Sequence, residues 1–422
     1  MPPEHITLLE GKRIILGVTG SIAAYKAADL ASKLTQAGAL VDVIMTRAAQ
    51  RFVSPLTFQA VTGRPVYTDM WQAGPDGGGL PTHIAHVGLG EEADLLVVAP
   101  ATANTLARMA VGLADDLLSV TALAARCPVL VAPAMDGAMY SHPATQANLK
   151  TLQERGVTVI EPEEGRFASG LEGRGRLPET STLLGMIRRM LGRGGALAGR
   201  KIVVSAGGTR EPIDPVRYIS NHSSGKQGHA LAQAAIDAGA DVVLISAAEH
   251  LPSPVGAEKV PVRTAQDMLE AVLEHVQGAD ALVMAAAVAD FRPAQVAEHK
   301  IKKPADVEDA PVLELVRTPD ILLAVRSQRQ RTGWPRVTVG FAAESQELLK
   351  HAQAKLKAKG LDLIVANDIT ATDAGFGVDT NRVVLLDAQG NQQELPLMSK
   401  ARVAEIVIQR VAGILGGMAT TA

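Results

Sequence analysis

The chain has 422 residues, enough for two domains, and its 47% hydrophobic and 20% charged content fits a globular protein with a large core. Aromatic residues at 3% argue against stacking platforms for single-stranded nucleic acid. A net charge of −3 without a basic run argues against a polyanion partner, and the single cysteine, Cys127, excludes an internal disulfide and a Cys-based zinc site.

The N-terminal MPPEHITLLEGKR lacks the apolar core of a signal segment. No apolar run free of Pro and Gly is long enough to span a bilayer, so a cytoplasmic location is expected. Residues 11 to 45, GKRIILGVTGSIAAYKAADLASKLTQAGALVDVIM, read as strand, Gly-rich turn, Ala-rich helix, Gly stop and second strand. Continuous Val/Ile/Leu runs of this kind mark parallel strands covered on both faces. Further strands are expected in ADLLVVAP, CPVLVAP and GVTVIEP. Gly-rich loops, candidates for lids, are expected at 71–82 and 165–176, and a closing helix ends in the tract Gly192 to Gly195. The opening pattern then repeats: GRKIVVSAGG and HALAQAAIDAGADVVLIS match the first unit, with TREPIDPVRYISNHSSGKQGH (209–229) inserted between them. The second half continues with strands in ADALVMAAAVADF, RVTVGFAAE, LDLIVAND and NRVVLLD. Two doubly wound, Rossmann-like α/β domains follow, each with its own parallel sheet.

Several turns carry polar groups where such sheets bind ligands. GVTGSIAAYK places Gly20 and Ser21 at a helix start after a strand, which suits a phosphate or simply a tight turn. APATANTLARMA opens a helix with Thr102, Asn104 and Thr105, as ligand contacts or as N-caps. His83 and His86 both suit proton transfer or a surface position. SSGKQG is not a Walker A loop, because Ser220 stands where the first Gly belongs and Gln227 follows the Lys. Ser223, Ser224, Gly225 and Gly228 still form a helix start able to face phosphate. Lys300, Lys302 and Lys303 follow a strand end carrying Asp290, either as a solvated face or against developing negative charge. Lys355 and Lys359 share one helix face.

Together these segments resemble the bifunctional phosphopantothenoylcysteine decarboxylase/phosphopantothenate–cysteine ligases of bacterial coenzyme A synthesis, over roughly residues 9 to 412. The first half is similar to flavin-dependent cysteine decarboxylases in GVTGSIAAYK, the histidine segment, APATANTLARMA and APAMDGAMY. The second is similar to the ligase in AGGTREPIDPVRYISNHSSGKQG, AAAVADFRP, KIKK, TPDIL, VGFAAE and LDLIVAND. The resemblance implies a decarboxylase domain over 1–191 with FMN at Gly20, Ser21, Ile22, Thr46, Thr102 and Asn104, and with His86 catalytic. It implies a ligase domain over 197–422. There 4′-phosphopantothenate is activated by CTP and Mg2+ to an acyl-cytidylate, and cysteine displaces CMP. Asn221 corresponds to the asparagine associated with the intermediate, and Lys300 to the catalytic lysine. Ser224, Gly225, Gly228, Ala285, Ala286, Asp290, Lys300, Pro319, Asp320, Ile321, Leu322, Phe341, Lys355 and Lys359 correspond to nucleotide positions. Magnesium is expected mostly on the triphosphate, with no protein ligand named. A homo-oligomer of trimeric flavin domains and dimeric ligase domains is also implied.

Two positions depart from the family pattern. Asp136 replaces the asparagine of PAMN, and an ionised carboxylate cannot donate to a substrate carboxylate. Ser169 stands where the family carries the acidic cysteine of its flexible loop, and an alcohol is a far weaker acid than a thiol. Three readings follow: both activities with a variant decarboxylase site, a ligase with an impaired flavin domain serving as a binding module, or a fused enethiol-forming decarboxylase.

Overall fold

Each long Val/Ile/Leu run becomes a strand buried on both faces, because helices cover the sheet above and below. The computed structural model describes residues 6–70, 85–166, 170–302, 312–344, 348–368 and 378–419. The chain divides into two units, Met1–Leu191 and Gly192–Ala422.

The first unit runs β1 (Arg13–Val18), α1 (Ala24–Gln36), β2 (Leu40–Met45), α2 (Pro55–Thr62), β3 (Val66–Tyr67), α3 (Ala85–Glu92), β4 (Leu95–Ala101), α4 (Ala103–Val111), α5 (Leu117–Ala124), β5 (Val129–Pro133), α6 (Gly137–Ser141), α7 (Pro143–Glu154) and β6 (Thr158–Val159). A hairpin of β7 (Glu163–Arg166) and β8 (Glu172–Arg176) follows, then the closing α8 (Thr180–Gly192). The six-stranded sheet is parallel in the order β3-β2-β1-β4-β5-β6. Alternate residues of each strand bury against opposite helix layers. Ile14, Leu16, Val43 and Val97 meet Leu30, Leu34, Phe58 and Ile187 of α1, α2 and α8. Ile15, Ile44, Leu96 and Val131 meet Leu89, Leu106, Leu118 and Leu149 of α3, α4, α5 and α7.

The segment 165–176, expected as a loop, is largely this antiparallel hairpin; opposite charges face each other across it at Glu163↔Arg176 and Glu164↔Arg174. The other expected lid, 71–82, lies outside the described residues.

The second unit runs β9 (Lys201–Ala206), β10 (Arg210–Pro212), β11 (Tyr218–Ser220), α9 (Lys226–Asp237), β12 (Asp241–Ser246), β13 (Ala257–Pro261), α10 (Ala265–His275), β14 (Ala281–Met284), β15 (Phe291–Pro293), β16 (Leu315–Arg317), α11 (Ile321–Thr332), β17 (Val337–Glu344), α12 (Leu348–Lys359), β18 (Leu363–Asp368), β19 (Thr380–Asp387), β20 (Gln392–Ser399) and α13 (Lys400–Ala419). The main sheet has the order β13-β12-β9-β14-β17-β18-β19-β20. Its first six strands are parallel, but β19 and β20 run antiparallel, so the sheet is mixed. The Asp387 carboxylate accepts from Gln389 N (3.0 Å) and Asn391 N (2.9 Å), making a turn between β19 and β20 too tight for a parallel crossover. The polar insertion at 209–229 is not open loop throughout: β10 and β11 pair within it, and β15 and β16 form a second small hairpin.

Candidate active sites

In both sheets the winding reverses beside the first strand, between β1 and β4 and between β9 and β14. Open α/β sheets bind ligands in the crevice that this reversal leaves at the carboxyl ends of the strands. The polar turns of the sequence converge there.

In the first unit a cavity of ≈ 470 Å³ opens at this point, lined among others by Gly20, Ser21 and Ile22 after β1, Thr102 after β4, and Met135, Asp136 and Met139 after β5. Thr19 locks the first two turns together. Its buried hydroxyl donates to Pro100 O (2.7 Å) and accepts from Thr102 N (3.0 Å). Gly20 is required sterically, since a Cβ there would lie 2.4 Å from Ala48 Cβ in the turn after β2. Ser21 Oγ accepts from Ala23 N in the turn before α1, and Thr102 Oγ1 from Thr105 N, so Thr102 also caps α4. Thr46 serves that neighbouring turn by accepting from Ala49 N (3.3 Å), and Asn104 is exposed on α4; neither is among the cavity-lining residues. Asp136 caps α6 through Oδ1, which accepts from Ala138 N (3.0 Å). His86 lies on α3, but its side chain falls outside the described residues, as do His83 and Ser169.

Sequence reasoning missed the cavity's cations, Lys26, Arg166 and Arg176. Lys26 Nζ is fixed by Leu177 O (3.2 Å) and Glu179 Oε1 (2.8 Å), and both arginines come from the β7–β8 hairpin. The run of arginines in a Gly-rich segment was the available signal. Glycine cradle, apolar walls at Ile22, Met135 and Met139, and cations at one rim form a donor set that fits an anionic flavin nucleotide and an anionic substrate.

In the second unit the insertion folds back over the end of β9. Asn221 Nδ2 donates to Val288 O (3.0 Å), which brings Asn221 against the loop carrying Ala285, Ala286 and Asp290. That loop is fastened to β9 by Ala286 N to Ser205 Oγ (3.1 Å) and by Ala289 N to the buried Thr209 Oγ1 (2.9 Å). The TPD turn joins it, as Thr318 N donates to Asp290 O (3.0 Å). Asp320 then N-caps α11, and Lys359 forms an ion pair with it. Lys355 Nζ donates to Phe341 O (3.0 Å). Asn221, Asp290 and the TPD turn are thus linked through neighbouring loops, and α12 joins them through the Lys359–Asp320 ion pair. Ile321 is a core residue packed on α10 and the sheet, and Leu322 lies partly buried beside it. Gly225 and Gly228 are needed for close packing: a Cβ at Gly225 would lie 2.5 Å from Ala248 Cβ, and one at Gly228 2.5 Å from Ala206 Cβ. Ser224 Oγ lies 3.5 Å from Lys226 N at the same helix start. Lys300 is exposed beyond β15; Lys303 lies outside the described residues.

The fold defines a doubly wound α/β unit of flavoprotein type followed by a second doubly wound α/β unit. Residues 3–192 match the family described as Flavoprotein, and residues 197–415 match the DNA/pantothenate metabolism flavoprotein C-terminal domain. The coenzyme A biosynthesis bifunctional protein CoaBC of Bacillus subtilis is 46% identical over 410 residues, covering 96% of this chain and 98% of that protein. Its counterpart from Mycobacterium tuberculosis (strain H37Rv) is 49% identical over 417 residues, covering 96% and 97%. A crystal structure of the C-terminal domain of a CoaBC protein matches at 38% identity and TM-score 0.45, covering 53% of this chain and all of that one. A PPC decarboxylase mutant matches at 33% identity and TM-score 0.38, covering 42% and 97%. The chain belongs to the CoaBC family of bifunctional coenzyme A biosynthesis proteins. It is an enzyme with a flavoprotein decarboxylase and a ligase, and its cofactor is a flavin.

Proposed function

We propose that the Met1–Leu191 unit is an FMN-dependent phosphopantothenoylcysteine decarboxylase and the Gly192–Ala422 unit a CTP-dependent phosphopantothenate–cysteine ligase. The observation that carries this reading is the convergence of both motif sets on the two switch-point crevices, in a chain matched to CoaBC relatives almost end to end. An impaired flavin unit is not favoured, because its cavity retains the glycine cradle and the cations.

In the ligase unit the carboxylate of 4′-phosphopantothenate attacks the α-phosphorus of CTP, forming a C–O–P linkage as pyrophosphate leaves. Two anions must meet in that step, and Lys300 supplies positive charge there. Magnesium enters on the nucleotide's phosphates. Asn221 orients the acyl-cytidylate, and the amine of cysteine then displaces CMP and forms the amide. Lys355 and Lys359 exchange Phe341 O and Asp320 for the nucleotide.

In the flavin unit the Gly20–Ile22 turn and Thr102 hold FMN. The cofactor supplies the two-electron chemistry for loss of carbon dioxide and the subsequent reduction. Lys26, Arg166 and Arg176 attract the anionic substrate, which gives its carboxylate a cationic partner in a cavity where Asp136 stands. His86 and Ser169 serve the proton transfers. Cavity-mouth residues Ile22, Tyr25 and Met139 are exposed, as are Val216, Tyr218 and Phe291 on the ligase hairpins; both patches suit homo-oligomer contacts. Among the described residues no helix is long and apolar enough to cross a membrane, and we place the enzyme in the cytoplasm.

The ligase is tested by incubating the full chain with 4′-phosphopantothenate, cysteine, magnesium and either CTP or ATP. Stoichiometric CMP and pyrophosphate from CTP are expected. Their absence, with nucleoside diphosphate formed instead, would replace the acyl-cytidylate by an acyl phosphate.

A further inference from the structure

The insertion contains two buried carboxylates: Glu211, which accepts from Ala265 N (2.8 Å) at the start of α10, and Asp214. The Asp214 side chain is fully buried, yet it sits in a surface hairpin. Its Oδ1 accepts from Val216 N (2.9 Å) and Arg217 N (2.8 Å), which shapes the turn between β10 and β11. Its Oδ2 accepts from the Arg217 guanidinium, and also from Ile301 N (3.2 Å), 87 residues further along the chain. Arg217 completes the ring by donating from Nη2 to Ile301 O (2.9 Å). A second tie lies nearby, where Ala297 N donates to Ile213 O (3.0 Å).

Both polar groups of the Ile301 backbone are therefore held by one ion pair, and Ile301 directly follows Lys300. The segment has no secondary structure of its own between β15 and residue 302, so these bonds fix its path. The Arg217 guanidinium beside Asp214 holds its carboxyl well below the usual carboxylate range, so the pair is ionised at neutral pH. A network of this kind is more than a turn needs: the bonds from Val216 N and Arg217 N to Asp214 and from Ile213 N to Arg217 O (2.9 Å) already close the hairpin.

We propose that Asp214 is a positioning residue for the ligase reaction, which with Arg217 clamps the Ile301 peptide and so sets where the Lys300 ammonium meets the reacting phosphate. The proposal rests on the assignment of Lys300 to nucleotide activation. A lysine on a free segment would bind CTP in many poses, and a misplacement of about 1 Å in such a group costs ~10²-fold in rate. The clamp also joins the 209–229 insertion to the segment after β15, so the β10–β11 hairpin and the Lys300 segment are placed as one body.

The test compares wild type, Asp214→Asn and Asp214→Glu in the full-length chain. Pyrophosphate release from CTP, 4′-phosphopantothenate and cysteine is measured together with limited trypsin digestion. Expected for Asp214→Asn are a kcat lowered ~10²-fold, a KM for CTP within about 3-fold, and selectively faster tryptic cleavage after Lys300. Asp214→Glu keeps the charge and recovers part of the loss. A kcat for Asp214→Asn within about 3-fold of wild type would overturn the proposal. So would equal losses in both variants with cleavage accelerated everywhere, the mark of a general folding role. Wild type releasing no pyrophosphate while trypsin still selects Lys300 in Asp214→Asn would reject the nucleotide reading and with it the catalytic role, leaving only the clamp.

Discussion

Lys300 is exposed, and in the proposed reaction it has chemistry to do only when two anions approach. Lys300→Ala is therefore expected to lower pyrophosphate formation by about 10²-fold or more, with a smaller change in KM for CTP. His229 behaves differently. It is buried on α9, its Nδ1 lies 3.1 Å from Gly225 O, and its Nε2 has no partner among the described residues. Burial pushes its pKa down, so the folded unit binds fewer protons than the unfolded chain near and below pH 6.5. Stability should be unaffected above that pH and fall as pH drops below it, by roughly 2–4 °C in melting temperature towards pH 5. Replacing His229 with Phe should flatten this dependence; a melting curve with the same pH slope in the variant would contradict the account. At this scale the sequence was half legible. Asn221, Asp290 and Asp320 stand in recognisable motifs, whereas Thr19, Lys26 and Asp214 act through partners many residues away that no local pattern announces.

At the scale of elements, glycines decide how closely helices approach the sheets. In Gly228→Ala the new Cβ would meet Ala206 Cβ at 2.5 Å and Ser205 O at 2.8 Å, so α9 must lift from β9. About 1–3 kcal/mol of destabilisation of this unit is expected, with ligase activity falling and flavin content unchanged. In Gly20→Val the β1–α1 turn would be driven off Ala48, and purified protein should lose most of its flavin absorbance while keeping ligase activity. Retention of full flavin would contradict the placement of the cofactor in this turn. Buried parallel strands such as β4 and β12 are readable because their apolar runs are continuous. β13 was missed because AEKVP is a half-exposed edge strand that ends in proline. The β10–β11 hairpin was missed because its pairing depends on the Asp214 turn rather than on apolar alternation.

Each unit has its own sheet and its own layered cores, so unfolding of the whole molecule should occur in two steps. FMN should raise the step of the first unit, and CTP with magnesium that of the second. A single transition raised equally by both ligands would argue for one cooperative body. The central claim is that one chain joins cysteine to 4′-phosphopantothenate and then decarboxylates the product, although Asp136 and Ser169 depart from the family pattern. The most direct test supplies 4′-phosphopantothenate, cysteine, CTP and magnesium to the purified flavin-loaded protein and identifies products by mass. The account predicts 4′-phosphopantetheine, with CMP and pyrophosphate. Accumulation of 4′-phosphopantothenoylcysteine, or of an enethiol lighter than 4′-phosphopantetheine by two hydrogens, would contradict it.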